Sequence, residues 1–258
     1  MKSPLLLIAG PCVIENRDTP FLVAEKMLDI TRKFNIRYVF KSSFKKANRT
    51  NLSSFTGIDF AEALDILGQI GKQFNVPVLT DVHESHEVNE VASVADYLQV
   101  PAFLCRQTDL LLACGRSGKW VNVKKGQFSS PESMKFAVEK VRSTGNRQIM
   151  LTERGTTFGY HDLVVDFRSI PIMQAIGVPV ILDATHSLQQ PNQSSGITGG
   201  LPQLIDTLCK AGIAAGVDGL FIETHPEPQK ALSDGLNMLQ LDKIEALLEK
   251  CMKIREVI

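Results

Sequence analysis

Eight short runs of apolar and β-branched residues punctuate the chain: LLLIAG at 5–10, RYVFKS at 37–42, PVLTD at 77–81, DYLQV at 96–100, WVNVKK at 120–125, IMLTE at 149–153, VPVILDA at 178–184 and GLFIETH at 219–225. Each has the length of a strand. Between them lie longer stretches, among them 21–34, 59–74, 131–143, 168–177, 201–214 and 240–256, whose apolar residues recur at helical spacing, several after a Ser, Thr or Asp. Strand and helix therefore alternate from end to end. Such alternation calls for parallel strands joined by crossover helices, and a count of eight predicts a closed (β/α)8 barrel, the TIM barrel, as one domain over 1–258. A dinucleotide-binding fold would place a G-x-G-x-x-G turn after the first strand, and AGPCVIE has none.

Composition narrows the function classes. Lys plus Arg and Asp plus Glu are both 28, so no overall field draws the chain to nucleic acid or to an anionic membrane. The apolar run at the start is broken by Gly10 and Pro11, and no stretch approaches the roughly 20 apolar residues of a membrane span. Five scattered cysteines suit a reducing compartment better than a disulfide framework. The expectation is a soluble cytoplasmic protein without nucleic-acid or membrane partners.

In a barrel of this kind the chemistry sits at the C-terminal ends of the strands. Those ends carry Cys12, Lys41, Asp81, Arg106 slightly beyond the fourth, Lys124 with Lys125, Glu153 with Arg154, Asp183 with His186, and Glu223 with His225. Charge on an exposed rim is ordinary for any one position. Cations converging from several strands would repel unless an anion sat among them, so Lys41, Lys46, Lys124 and Arg154 point to a small substrate rich in phosphate or carboxylate. Lys45 and Lys125 are expected to be solvated surface charges. Arg49 and Thr50 extend the anion site outward, as a guanidinium fork followed by a hydroxyl suits a second phosphate. Cys12, His186, Glu223 and Asp234 come from the first, seventh and eighth strand ends and the loop beyond, which adjoin in a closed barrel. Thiolate, imidazole and two carboxylates form a candidate divalent metal site; a buried Cys and a capping Asp are the ordinary alternatives. His83, His86 and His161 are weaker candidates, the first two reading as capping or packing residues of the helix-opening DVHESHE, and Cys105, Cys114, Cys209 and Cys251 read as structural.

With AGPC, KSSFKKANRT, LTDVHES, PAFLCRQTDLL, VNVKKGQF, LTERGTTFGY, VVDFRS, DATHS, ETHPEP and ALSDG, the chain resembles the 3-deoxy-D-manno-octulosonate-8-phosphate synthases nearly from end to end. That resemblance implies a homotetrameric (β/α)8 barrel joining phosphoenolpyruvate to arabinose 5-phosphate in lipopolysaccharide precursor synthesis. It assigns Lys41, Lys46, Lys124 and Arg154 to phosphoenolpyruvate. Asn48, Arg49, Thr50 and Asp81 fall to the sugar phosphate, with Arg106 entering from a neighbouring subunit. Cys12, Lys46, Asp81 and His186 become the candidate catalytic residues. The family has a metal-requiring branch with Cys at the position of Cys12 and a metal-independent branch with Asn there, so the resemblance also implies that Cys12, His186, Glu223 and Asp234 hold a divalent ion: zinc, iron, manganese, cobalt or cadmium. Two positions depart from the family pattern, Thr50 and Thr198, each standing where Ser is expected. The rival readings are the related condensation of phosphoenolpyruvate with erythrose 4-phosphate, whose enzymes resemble K-P-R-T where this chain has KANRT, and a barrel that binds without catalysing.

Overall fold

The computed structural model describes residues 4–49, 51–193 and 198–258. Eight parallel strands run β1 Leu6–Gly10, β2 Arg37–Lys41, β3 Val78–Asp81, β4 Tyr97–Val100, β5 Trp120–Lys124, β6 Ile149–Glu153, β7 Val180–Asp183 and β8 Gly219–His225. Each pairs with the next, and β8 returns to β1 with Leu6 opposite Gly219 and Gly10 opposite Glu223, so the sheet closes. The helices are α1 Asp18–Lys33, α2 Phe60–Phe74, α3 Val88–Val94, α4 Thr108–Arg116, α5 Met134–Arg142, α6 Ser169–Gln174, α7 Ile205–Ala214 and α8 Ile244–Val257. Six fall within the helical stretches read from the sequence or overlap them closely. The other two, α3 and α4, are short, and α3 buries only Val88 and Val91, too few to set a clear period.

Local chemistry accounts for several boundaries. Asp59 caps α2, accepting from the N–H groups of Ala61 at 2.9 Å and Glu62 at 3.1 Å, and Asn75 ends the helix in the left-handed region at φ 50°. Asn16 Oδ1 accepts from Thr19 N at 2.8 Å at the start of α1. Among the described residues no helix is long and apolar enough to cross a membrane.

The two-residue period of the strands sorts side chains into two layers. Leu5, just before β1, joins Leu7 and Ala9 in the core beneath the helices, whereas Leu6 and Ile8 point into the barrel with Val39, Leu79, Tyr97, Met150, Ile181 and Phe221. One inward step farther along each strand, the interior changes from apolar to polar: Leu79 is followed by Asp81, Tyr97 by Gln99, Trp120 by Asn122 and Lys124, Met150 by Thr152 and Arg154, Ile181 by Asp183, and Phe221 by Glu223. The lower half is a hydrophobic plug, and the upper half is the site. Three short paired segments decorate the rim, Thr156–Phe158 with Asp162–Val164, Gln189–Gln190 with Gly199–Gly200, and Leu239–Gln240 beside β8.

Candidate active site and metal centre

A cavity of about 610 Å³ opens at the C-terminal ends of the strands. Lys41, Lys46, Asn48, Arg49, Asp81, Lys124, Arg154, His186, Thr198 and Asp234 line it, so most of the candidates from scattered sequence positions share one chamber. Thr50 lies outside the described residues. Arg106 is absent from this wall; it lines a separate cavity of about 470 Å³ with Phe128, Phe136 and Lys140.

Cys12 reaches the site because β1 and β2 approach closely at Gly10, where a Cβ would stand 2.0 Å from the Lys41 carbonyl oxygen. The ligating atoms of Cys12, Glu223 and Asp234 lie within 4.8 Å of one another. Cys12 Sγ donates to Asp234 Oδ2 at 3.2 Å and is 3.1 Å from Ser233 Oγ. Asp234 occupies the left-handed backbone region at φ 51°, a conformation uncommon outside glycine that turns its carboxylate inward. His186 stands beside this group of three rather than within it: its Nε2 is 3.5 Å from Glu223 Oε2, while its Nδ1 is 2.7 Å from Asp183 Oδ2. Because an ionised Asp183 can only accept, Nδ1 carries a proton toward it, which directs Nε2 at Glu223.

Electrostatics of this cluster are those of a site short of positive charge at one point. Burial and the adjacent Glu223 charge push the Cys12 thiol far above its ordinary range. Burial would also raise the Glu223 and Asp234 carboxyls, but Lys41, His186 and Lys46 outweigh it at Glu223, and Lys46 with Arg49 does so at Asp234, so both are held low. Yet Glu223 Oε2 is buried with no hydrogen-bond partner among the described residues. A buried carboxylate oxygen without a donor is costly, and it faces a soft thiol and an imidazole. This donor set fits a divalent cation of the zinc, iron, manganese, cobalt or cadmium class, with Cys12 surrendering its proton on binding.

The cations stand around this centre. Lys41 contacts Glu223 and the Cys12 carbonyl oxygen, the latter at 3.2 Å. Lys46 Nζ lies 3.7 Å from Glu223, and Lys124 donates to Asp183 at 2.6 Å while sitting 4.0 Å above the Phe221 ring. Arg154 donates from Nη2 to Gln189 at 2.5 Å, but its buried Nη1 has no partner among the described residues. Arg49 turns toward the metal side, contacting Ser233 and lying 3.4 Å from Asp234 Oδ1.

Lys125 corrects a sequence-based expectation. It is 1% exposed rather than solvated, 3.4 Å from Glu153 Oε1 and donating to Thr156 Oγ1 at 3.1 Å. Strand parity explains the difference: after the outward Val121 and Val123, Lys125 continues the helix-facing layer, where Glu153 of β6 meets it. Lys45 is exposed, as expected, and the five cysteines are all buried and unbridged. His83 faces the cavity and packs edge-on against Phe44 at 5.6 Å.

Several residues that shape the site were given no ligand or substrate role by the sequence. Asp183 orients His186 and holds Lys124. Glu15 on the loop after β1 bonds His225 Nε2 at 2.8 Å and accepts from Leu232 N at 2.9 Å, fastening the loop that bears Asp234. Gln99, Asn122 and Thr152 occupy inward positions two residues beyond the apolar plug, and that spacing was the available signal.

The model of the DAHP synthetase I family matches residues 2–258. Curated relatives include the 2-dehydro-3-deoxyphosphooctonate aldolases of Brucella ovis, Brucella melitensis and Brucella suis. Each is 52% identical over 251 residues, spanning 97% of this chain and 91% of the relative. With a closed barrel, a cationic chamber at its C-terminal mouth and this identity across almost its whole length, the chain belongs to the DAHP synthetase I family and groups there with the 2-dehydro-3-deoxyphosphooctonate aldolases.

Proposed function

We propose that the protein condenses phosphoenolpyruvate with arabinose 5-phosphate and water, forming 3-deoxy-D-manno-octulosonate 8-phosphate and inorganic phosphate for lipopolysaccharide precursors. The observation that carries this reading is the chamber itself: Lys41, Lys46, Lys124 and Arg154, from three strand ends and one adjoining loop, converge beside the Cys12, Glu223 and Asp234 cluster, with His186 3.5 Å from Glu223. In the reaction C3 of phosphoenolpyruvate bonds to the aldehyde carbon of the sugar, whose oxygen takes a proton. Water adds at C2, and phosphate departs by C–O cleavage.

Each residue has a role its surroundings support. Lys46, Lys124 and Arg154 hold the phosphate and carboxylate of phosphoenolpyruvate, with the unpartnered Arg154 Nη1 offering a donor to an anionic oxygen. Burial pulls the pKa values of the Lys124 ammonium and the Arg154 guanidinium below their ordinary ranges, an effect that a bound anion opposes. Lys41 neutralises Glu223 and supports the floor of the site. Asp81, held well below the usual carboxylate range because Lys41, Lys46 and Lys124 outweigh its burial, accepts hydrogen bonds from sugar hydroxyls. Asn48, Arg49, Thr50 and Thr198 contribute to the sugar-phosphate end. Cys12, His186, Glu223 and Asp234 would hold a divalent ion, which would supply Lewis-acid stabilisation of negative charge developing on the sugar oxygen.

The protein is further read as a cytoplasmic homotetramer in which Arg106, lying off its own chain's chamber, serves a neighbouring one. Phosphate release measured with arabinose 5-phosphate and with erythrose 4-phosphate tests the assignment. A preference for the pentose phosphate is expected, and a preference for erythrose 4-phosphate would overturn it.

A further inference from the structure

Above the apolar plug, a row of polar side chains crosses the barrel interior from strand to strand. Asp81 of β3 is the register partner of Gln99 on β4, which is the register partner of Asn122 on β5. Thr152 of β6 lies two residues past Met150, the partner of Asn122. Their side chains form one unbranched chain of hydrogen bonds. Thr152 Oγ1 donates to Asn122 Oδ1 at 2.7 Å, Asn122 Nδ2 to Gln99 Oε1 at 2.8 Å, and Gln99 Nε2 to Asp81 Oδ1 at 2.6 Å. Ser43 Oγ donates to the other oxygen of Asp81. Thr152 and Asn122 are 0% exposed, Gln99 1% and Asp81 7%.

The row has a direction, and one charge sets it. Asp81 is ionised and can only accept, so Gln99 must present its nitrogen there and its oxygen to Asn122. Asn122 must then donate to Gln99, which turns its own oxygen to Thr152, whose hydroxyl donates. Reversing either amide would place oxygen against oxygen. Such head-to-tail bonds polarise one another inside a protein, and each buried group is satisfied only if its neighbour keeps its orientation. Satisfaction of buried groups alone would not call for this arrangement, since the layer beneath fills the same strands with Leu79, Tyr97 and Met150. The chain ends where polarity is useful, on a carboxylate that lines the chamber.

We propose that Gln99, Asn122 and Thr152 are positioning residues that lock the Asp81 carboxylate in one orientation, its remaining lone pairs toward the chamber, and thereby set affinity for the hydroxyl-bearing aldose phosphate rather than for phosphoenolpyruvate. This rests on the reading of Asp81 as the acceptor of sugar hydroxyls. Thr152 is the sharpest probe, because it does not line the chamber and touches Asp81 only through two amides.

The experiment is steady-state kinetics on the full chain, with KM determined separately for arabinose 5-phosphate and phosphoenolpyruvate, alongside thermal melting of every variant. Thr152→Val should raise KM for the sugar phosphate roughly threefold to tenfold, the scale of one neutral buried hydrogen bond, and leave KM for phosphoenolpyruvate unchanged. Thr152→Ser, which keeps the donor, should restore the wild-type value. In an Asp81→Asn background Thr152→Val should have no further effect on KM, and Thr152→Ala provides a second hydroxyl deletion should the valine not fold. Wild-type turnover with both KM values shifted together, or neither shifted, in the hydroxyl deletions would overturn the proposal alone. A wild type that does not turn over this substrate pair would overturn the functional reading and the proposal with it.

Discussion

Lys125 and Glu153 form an ion pair with each side chain only 1% exposed, on the helix-facing side of the barrel wall. The pair is embedded in backbone: Glu153 Oε1 accepts from Arg154 N at 2.9 Å and Gly155 N at 2.8 Å, and Lys125 reaches the carbonyls of Gly126 and Gly155. It therefore joins the loops that carry Lys124 and Arg154 into the chamber. Removing one partner leaves a charge buried without its counterion, which costs about 3–5 kcal/mol. Lys125→Met should lose stability on that scale in urea denaturation, and the Lys125→Met/Glu153→Gln double variant should recover a substantial part, since Gln still accepts from the two N–H groups. A single variant as stable as wild type would show that the pair is dispensable.

At the scale of elements, the loops that shape the chamber are held by side chains reaching back to backbone. Glu87 precedes α3 and accepts from His83 N at 2.9 Å and Glu84 N at 3.2 Å, with His83 Nδ1 at 3.6 Å. Burial alone would raise its carboxyl, but the hydrogen bonds from His83 and Glu84 bring it from 4.5 down to about 2. A depressed carboxyl stabilises the fold above its unfolded value, and that contribution disappears as pH falls through the folded one. The stability of wild type relative to Glu87→Gln should therefore be constant above the ordinary carboxylate range and shrink between pH 4.5 and about 2. Parallel melting curves for the two proteins over that window would contradict the role of Glu87. The Glu15–His225 contact is a similar tie, fixing the loop after β8 to the loop after β1 so that Asp234 meets Cys12.

Over the whole molecule, the closed barrel was legible because each strand is a short apolar run and each run ends in chemistry. The chamber was legible for a related reason: parallel strands send all their C-terminal ends to one mouth, so Cys12, Lys41, Asp81, Lys124, Arg154, His186 and Glu223 had to be neighbours or near neighbours. What escaped the sequence was parity. Lys124 and Lys125 are chemically alike and adjacent, yet one points into the barrel and the other into its wall, which is decided by counting back to Val121 and Val123. Gln99, Asn122 and Thr152 are uncharged, and although Asn122 and Thr152 fall within VNVKKGQF and LTERGTTFGY they carry no role there, so only their two-residue spacing from the plug marks them. The loop geometry that brings Asp234 to Cys12 depends on a left-handed backbone conformation and on contacts between residues more than 200 positions apart, which local pattern does not encode.

The central claim is that this chamber performs the condensation with an ion held by Cys12, His186, Glu223 and Asp234. Its most direct test is phosphate release from phosphoenolpyruvate and arabinose 5-phosphate before and after treatment with EDTA, followed by addition of Mn²⁺, Co²⁺, Fe²⁺, Zn²⁺ or Cd²⁺, with metal content measured on the same samples and on Cys12→Ala. The account predicts that chelation abolishes turnover, that at least one of these ions restores it, and that Cys12→Ala loses bound metal and activity together; chelated, metal-free protein turning over at the untreated rate would contradict it.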